Sequence, residues 1–397
     1  MASYSATERR QDRGGTSLLY DPRIRGIFYQ VLVFAAVIGA IYWIVGNTIT
    51  NLQRANIASG FGFLNGRAGF DISQTLIQYN SDSNYGRAFL VGLVNTLYVA
   101  ALGVITASII GFLVGIGRLS RNWLIRKICT VYVEVFRNIP PLLVIFFWYF
   151  GVLSVLPQAR ESFALPLGTY LNNRGFFMPS PIWGEGAWLL PVALLVGIVA
   201  SVVVARWAKR RQMATGQSFH TIRVSAALII GLPILALIAT GFPVSFDSPK
   251  LGTFNLTGGA QIKPEFLALF LALSFYTASF IAETVRAGVL GVNKGQTEAA
   301  YAVGLRPGQT MRLIIVPQAL RIIIPPLSSQ YLNLIKNSSL AIAIGYPDLV
   351  AVGGTILNQT GQSVEVVAIW MVIYLGISLI VSSLMNWFNA RMALVER

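Results

Sequence analysis

The chain contains several stretches of about 20 apolar residues that carry almost no charge. Each stretch is long enough to cross the hydrocarbon core of a bilayer, which is about 30 Å thick. Hydrophobic residues make up 55% of the 397 residues and charged residues only 11%, whereas about a quarter of the residues in a soluble domain are charged. A soluble protein of this composition would lack the polar surface that keeps it dissolved. The sequence therefore predicts an all-α, polytopic helical membrane protein.

Hydropathy predicts about eight membrane spans separated by polar connections. We place them at residues 27–46, 88–117, 128–153, 187–205, 224–242, 265–285, 322–345 and 364–388. Residues 1–26 are polar and basic and lack the apolar core of a cleavable signal, so we expect a retained cytoplasmic tail. Residues 27–87 would form an extra first span and a periplasmic segment, and residues 389–397 a second cytoplasmic tail.

Lysine and arginine are distributed unequally between the two sides that these spans define. Of the 30 basic residues, 21 lie in the two tails and in the second, fourth and sixth connections, and seven lie in the other connections. Cytoplasmic loops are enriched in Lys and Arg, so both termini are expected in the cytoplasm. The net charge of +15 is then explained by the enrichment of Lys and Arg in the cytoplasmic connections and tails. A nucleic-acid-binding patch would be continuous and interleaved with aromatic residues, so we expect no nucleic-acid partner.

One basic connection, residues 286–321, contains a spaced set of residues that predicts a projecting helix and turn: Glu298, Ala299, Ala300, Gly304, Ile314 and Pro317. A short helix starting near Thr297 would carry Glu298 in its first turn, where the helix dipole favours a carboxylate. The two alanines are small helix formers that permit close approach to a partner. Gly304 suits a left-handed turn at the helix end, and Pro317 would begin the next helix.

This spacing resembles the cytoplasmic coupling loop of the membrane subunits of bacterial ATP-binding-cassette (ABC) importers. Further motifs resemble the polar amino-acid permease branch of those importers: Gly92, Asn95, Thr96 and Leu97, then Glu134, Arg137, Asn138 and Pro140, then 282–288, and Lys336 to Leu340. Together they cover about 88–150 and 265–388. The added first span and an insertion at 155–264, which carries two further spans, resemble the Q-type permease subunit of the general L-amino-acid transporter.

The resemblance implies a type I ABC importer transmembrane domain at residues 88–388, which forms a translocation path for amino acids across the bacterial inner membrane. It implies as partners two ATP-binding-cassette subunits that hold ATP and Mg²⁺, a periplasmic amino-acid-binding protein and a second permease chain. A different permease is favoured and a homodimer stays open. The sequence has no Gly-x4-Gly-Lys-Ser/Thr phosphate-binding loop, so we expect no cofactor on this chain and no ATP hydrolysis by it.

Ionisable residues inside predicted spans cost at least about 2.5–3.5 kcal/mol to bury on insertion scales. Glu134 and Arg137 in the third span are three residues apart, and Glu283 and Arg286 repeat this spacing at the inner end of the sixth. Residues three apart lie on one helical face. Each pair is therefore expected to neutralise itself, with a structural or gating role.

The seventh span is unusually polar for a helix in hydrocarbon. Ser329, Asn333 and Lys336 share one face and Gln330 and Asn337 border it, and Ser338, which follows in the same polar run, completes the predicted substrate path. Because polar groups in hydrocarbon need partners or water, we expect this face to line the interior of the bundle and the substrate path. Lys336 would then hold the substrate carboxylate. The alternative is that Lys336 pairs with a carboxylate such as Glu283 and that the other polar groups join helices.

Two other classes of membrane protein share part of this pattern. A secondary transporter or channel would also be polytopic with charged residues in the membrane, but secondary carriers commonly show inverted repeats. The sequence contains no second copy of the pattern from Glu298 to Pro317. A membrane-embedded enzyme would need a catalytic or metal-binding group of residues. The only histidine, His220, and the only cysteine, Cys129, lie far apart, so we expect no catalytic residue and no metal site.

Overall fold

The computed structural model of the chain describes residues 22–54, 59–252 and 255–392, which are largely helical. The helices are α1 Pro22–Arg54, α2 Tyr85–Gly117, α3 Trp123–Asn138, α4 Pro141–Phe146, α5 Leu189–Thr215, α6 Thr221–Ala239, α7 Pro264–Leu290, α8 Lys294–Ala302, α9 Pro307–Thr310, α10 Val316–Asn337, α11 Leu349–Thr360 and α12 Ser363–Met392. The π-helical stretches Phe147–Leu153 and Met311–Ile315 extend α4 and join α9 to α10, and a 3₁₀ stretch, Ser338–Ile344, follows α10. Most of the predicted tail 1–26 and the end of the tail 389–397 lie outside the described residues.

Seven helical segments of the described residues are long and apolar enough to cross a membrane: Arg25–Asn51, Tyr85–Gly117, Leu189–Thr215, Thr221–Ala239, Pro264–Leu290, Pro307–Ile344 and Ser363–Ala390. The remaining predicted span, 128–153, is two helices that meet at an angle of 111°. Pro140 and Pro141 cause the break, because proline has no amide hydrogen and disfavours helical backbone in the preceding residue. Ile139 is accordingly extended, at φ −104° and ψ 132°. The third span is therefore broken rather than continuous.

The broken helix pair runs along the length of α7. Arg137 Nη1 lies 3.7 Å from Glu283 Oε2, near the C-terminal end of α7. Tyr132 Oη donates to the carbonyl oxygen of Phe275 at 2.6 Å, midway along α7. Tyr149 Oη then donates to Glu265 Oε1 at 3.3 Å, in the first turn of α7. In chain order, the pair thus contacts α7 at its middle, then at its C-terminal end, and finally at its first turn. Counted as one broken span, the pair brings the candidate spans of the described residues to eight.

The core of the bundle is built where α2 packs against α7. Two glycines of α2 permit the close approach. A Cβ at Gly111 would lie 2.6 Å from Ile281 Cβ, and a Cβ at Gly115 would lie 2.8 Å from the carbonyl oxygen of Ala282. Small residues at such contacts are what brings membrane helices together in the absence of a hydrophobic driving force. Around this pair α3, α4 and α10 pack on α7, α11 packs on α2, and α12 packs on α10 and α11.

The 155–264 segment forms a helical hairpin with a small β-structure at one end. Its strands are β1 Phe163–Leu165, β2 Thr169–Asn172, β3 Gly175–Met178, β4 Ser180–Trp183, β5 Val244–Asp247, β6 Lys250–Leu251, β7 Leu256–Thr257 and β8 Ala260–Ile262. One antiparallel sheet has the order β1-β2-β3-β8, with Phe176 opposite Ile262, and β4 pairs with β5. Strands that precede α5 thus pair with strands that follow α6. Both connections therefore lie at one end of the α5–α6 hairpin, and the loop 216–220 lies at the other.

Candidate functional site

The connection between α7 and α10 folds into the two short helices α8 and α9. The Asn293 side chain accepts a hydrogen bond from the N–H of Gly295 at 2.8 Å and caps α8, so the helix begins at Lys294 and not near Thr297. Glu298 is consequently in the second turn, and its side chain is exposed. The predicted interaction of Glu298 with the helix dipole is wrong, because that effect is confined to the first turn.

The end of α8 has the geometry that the glycine predicts. Gly304 has a φ of +81°, which confirms the left-handed turn, and nothing lies within 4 Å of a Cβ built there. Backbone conformation rather than space therefore requires glycine. Ala300 is 4% exposed, and its carbonyl oxygen accepts a hydrogen bond from the N–H of Leu305 at 3.1 Å, whereas Ala299 is exposed. Only one of the two alanines is thus available to a partner.

The projecting loop is tied to the start of the long helix α10. Pro317 is the second residue of α10, as predicted, and Ile314 is half-buried in the π-helical stretch that leads into it. Gln318 Nε2 donates to Gln296 Oε1 at 3.1 Å. This exposed hydrogen bond joins the first turn of α10 to α8.

Among the exposed apolar side chains of this connection, two lie beside the Gly304 turn and were missed by the sequence reasoning. Tyr301 is 49% exposed and Val303 is 76% exposed, at the end of α8 and just before the Gly304 turn. Both lie outside the segments that could span a membrane. Contiguous exposed apolar surface is typical of protein interaction sites, which makes this pair a candidate contact. Their signal in the sequence is an apolar pair directly before Gly304, in the more polar first part of the connection.

Charged residues from α3 and from the C-terminal ends of α2 and α7 form one network around Glu283. Its carboxylate accepts a hydrogen bond from Arg118, is 2.5 Å from Arg286 Nη2, and is 3.7 Å from Arg137 Nη1. The predicted pair of Glu283 with Arg286 is confirmed. Glu134 instead lies 3.9 Å from Arg118, and within the described ranges it forms no salt bridge with Arg137. The prediction that Glu134 and Arg137 neutralise each other is therefore wrong.

Burial explains why Glu283 and not Glu134 is the centre of this network. The Glu283 side chain is 24% exposed and Arg118 is 10% exposed, whereas Glu134 is 57% exposed. A charge that is removed from water needs a partner more than one that is hydrated. Arg137 is placed by a second contact, since its guanidinium carbon lies 5.6 Å from the centre of the Phe280 ring. One carboxylate of α7 thus holds both α2 and α3.

The polar face predicted for the seventh span lies on α10, on the outside of this chain's own bundle. Ser329, Asn333 and Lys336 are exposed, Asn337 is half-buried and Ser338 is buried. The prediction that this face points into the bundle is therefore wrong for a single chain, because the opposite face of α10 fills the core. Lys336 forms no salt bridge among the described residues, so the alternative pairing with Glu283 is wrong as well.

A second polar cluster, which the sequence reasoning missed, joins α2 to the loop that precedes α11. Asp348 caps α11 by accepting a hydrogen bond from the N–H of Ala351 at 2.8 Å. Asn95 Nδ2 donates to the carbonyl oxygen of Pro347 at 2.9 Å, and Thr96 Oγ1 accepts from the backbone N–H after Asp348 at 3.0 Å. Asp348 is fully buried, and this burial raises its pKa to about 6. An Asp directly before an apolar helix is the cap signal that would have identified it.

Comparison with known proteins assigns the family. Residues 197–394 match the family described as binding-protein-dependent transport system inner membrane component. The chain is 65% identical to the general L-amino acid transport system permease protein AapQ of Rhizobium johnstonii, over 96% of this chain and 95% of that protein. It is 50% identical to the putative amino-acid ABC transporter permease protein YhdX of Escherichia coli, over 98% of this chain and 100% of that protein.

A third relative extends the same pattern. The glutamate/glutamine/aspartate/asparagine transport system permease protein BztB of Rhodobacter capsulatus is 43% identical, with 96% of each chain covered. All three relatives are matched over nearly their whole length, including the segment that corresponds to the 155–264 insertion. The chain belongs to the amino-acid permease family of ABC importers.

Proposed function

We propose that this permease couples to its ATPase through the connection between α7 and α10, residues 291–315, which we call the coupling loop. The observation that carries the proposal is the exposed pair Tyr301 and Val303 at the end of α8, a helix that is hydrogen-bonded to α10. An ATPase that covers these side chains would bury apolar surface, and this burial would stabilise the complex by about 25 cal/mol for each Å². A displacement of α8 would then pass to α10 through the hydrogen bond between Gln296 and Gln318.

Helix α10 provides a direct connection from this loop into the membrane. It begins at Val316 and reaches Asn333 after 17 residues, which is about 25 Å at the rise of an α-helix. A movement at the coupling loop would therefore displace the polar face of Ser329, Asn333 and Lys336. Polar groups in hydrocarbon need partners or water, and the exposure of this face leaves room for a second permease chain. The amino-acid substrate would pass between the two chains, with Lys336 beside its carboxylate.

The complete importer would contain two ATP-binding-cassette subunits, a second and different permease, and a periplasmic amino-acid-binding protein. ATP and Mg²⁺ would be held by the ATPase subunits. The coupling loop and both termini would lie in the cytoplasm of the bacterial inner membrane, a placement supported by the 21 basic residues on that side. The β-structure of the 155–264 insertion would then lie in the periplasm.

The proposal can be tested by purifying the affinity-tagged permease from cells that produce the whole transporter. We expect the ATPase to co-purify with the wild-type chain and to be lost from Val303→Asp, because the new carboxylate would be buried in the contact. Ile222→Asp is a matched control, since Ile222 is 86% exposed in the first turn of α6, away from the coupling loop. It should retain the ATPase. Retention of the ATPase and of normal uptake by Val303→Asp would overturn the proposed docking surface.

Glu298→Lys tests a second contact of the same surface. The side chain is exposed, so reversal of its charge should leave membrane insertion intact and weaken ATP-driven uptake. A secondary transporter or channel, the alternative class, would show uptake in proteoliposomes that contain the permease without its ATPase. The family relationship does not favour that alternative, and we expect no uptake under those conditions.

A further inference from the structure

The α5–α6 hairpin carries positive charge that neither the coupling loop nor the polar face of α10 uses. Five basic residues lie at one end of this hairpin: Arg206, Lys209, Arg210, Arg211 and Arg223. The sequence contains no Asp or Glu between Glu185 and Asp247. All five side chains are exposed, and within residues 22–54, 59–252 and 255–392 none of them forms a salt bridge.

The packing of the hairpin projects these charges beyond its apolar part. Ser201 Oγ donates to the carbonyl oxygen of Ser225 at 3.3 Å, and the Trp207 ring lies 5.2 Å from the Phe219 ring. These contacts show that the last turns of α5 extend past the start of α6. The Arg211 guanidinium lies 5.4 Å from the Trp207 ring. A tryptophan beside basic side chains at a helix end is the arrangement found where a helix leaves the hydrocarbon core.

An apolar groove leads from this charged end along α6. It begins at Arg223, passes Ala227 and Gly231, and ends at Leu235, with a volume of about 360 Å³. From Arg223 to Leu235 the helix rises by about 18 Å, close to the hydrocarbon depth of one leaflet, about 15 Å. Gly231 faces open space, since nothing lies within 4 Å of a Cβ built there, so a larger side chain at this position would project into the groove.

We propose that the hairpin binds an anionic phospholipid, with its phosphate beside Arg223 and an acyl chain along the groove to Leu235. The argument for lipid over a protein helix is charge complementarity. An apolar helix could fill the groove but would leave the five cations at its end without an anion. A phospholipid supplies an anionic headgroup at the charged end and an acyl chain along the groove. Clusters of Lys and Arg at the end of a membrane helix attract such headgroups.

This site gives the 155–264 insertion a physical role that is separate from coupling. Among the described helices, α5 and α6 pack mainly on each other. A lipid held at the hairpin would fix its depth and tilt in the membrane without help from the rest of the bundle. The inference does not depend on the proposed docking of an ATPase, because no residue of the coupling loop takes part.

The test is native mass spectrometry of the assembled, detergent-solubilised transporter, titrated with phosphatidylglycerol and with phosphatidylcholine. We expect the wild type to retain phosphatidylglycerol preferentially. Gly231→Phe should lower its apparent affinity at least about tenfold, because the ring occupies the groove. Gly39→Phe is the matched control, since Gly39 lies in the apolar helix α1 and a Cβ there also meets nothing within 4 Å. It should bind phosphatidylglycerol as the wild type does.

The headgroup contact is tested by a second pair of variants. Arg210→Gln combined with Arg223→Gln should weaken phosphatidylglycerol binding about 30-fold relative to wild type, whereas Arg210→Lys with Arg223→Lys keeps the charge and should bind normally. Equal binding of both lipids, or an unaltered Gly231→Phe, would overturn the proposal. So would competition by inorganic phosphate, which indicates a free-anion site, or a cross-link from Gly231→Cys to another protein segment in place of lipid.

Discussion

The turn that ends α8 offers the most direct test of the coupling loop. Gly304 has a φ of +81° with open space around its Cβ position. Gly304→Val therefore perturbs the backbone alone and introduces no clash. The orientation of Tyr301 and Val303 relative to α10 depends on this turn, because both side chains lie directly before it.

The magnitude follows from the backbone energies. A non-glycine residue in the left-handed region costs about 1–2 kcal/mol, and a β-branched residue is at the upper end of this range. Since about 1.4 kcal/mol corresponds to a factor of ten in an equilibrium constant, the native loop conformation should become about five- to thirty-fold less populated relative to relaxed alternatives. Gly304→Asn should lower the population of the native loop conformation much less, because Asn tolerates the left-handed region.

The assay is ATP-driven amino-acid uptake into proteoliposomes, with ATP hydrolysis measured in the same samples. Gly304→Val should reduce uptake severalfold or more and should uncouple or detach the ATPase, while the amount of inserted permease stays unchanged. Gly308→Val is the matched control, because Gly308 lies in the same loop, has open space around it and does not have a positive φ. Normal uptake by Gly304→Val, or an equal loss in Gly308→Val, would refute the reasoning.

Three further perturbations test the other clusters. Glu283→Gln leaves a nearly buried arginine without its carboxylate and should lower the free energy of unfolding by about 3 kcal/mol. Glu134 is half-exposed, so Glu134→Gln should lower the free energy of unfolding by less than about 1 kcal/mol. Equal losses of stability in thermal unfolding would contradict this. Asn333→Leu or Asn337→Leu should alter substrate preference or abolish transport in an assembled, ATPase-active complex, and unchanged transport of every substrate would make this face structural. Asp348→Asn should stabilise the protein by about 3 kcal/mol at pH 7. The buried carboxyl group has a pKa of about 6, against 3.8 in the unfolded chain. At pH 7 its ionisation therefore destabilises the folded state, and the neutral Asn side chain removes this cost. That gain should shrink as the pH falls from 6 to 4, and a pH-independent gain would refute it.

The membrane spans were predictable because hydropathy averages over many residues and tolerates local errors. The predicted span 88–117 ends at the same residue as α2, Gly117. The break in the third span was not predicted, because the hydropathy average over 128–153 is insensitive to two adjacent prolines. The effect of Pro140 on Ile139 is nevertheless a local rule that could be read from the sequence. The eight strands, each of two to four residues, are too short to produce a periodic pattern, and their pairing joins segments on both sides of the α5–α6 hairpin.

Local backbone requirements were predictable in the candidate site, and tertiary partners were not. Gly304 and Pro317 lie where the turn and the helix start require them. Glu298 was misplaced within its helix because the cap formed by Asn293 was overlooked. For the charged residues, a spacing of three identifies which side chains share a helical face. The choice among partners depends on burial in the folded chain, where Arg118 at the end of α2 pairs with Glu283 of α7.

The polar face of α10 lacks partners among the described residues of its own chain. Ser329, Asn333 and Lys336 were expected inside the bundle because polar groups in hydrocarbon need partners. That rule still holds, but the core contacts of this chain leave all three exposed. Their partners must then come from water or from another chain. The proposed second permease, packed against α10, would supply both a surface and an enclosed aqueous path. The same helix begins beside the coupling loop, so the element that an ATPase would displace is the element that carries the unpartnered polar groups.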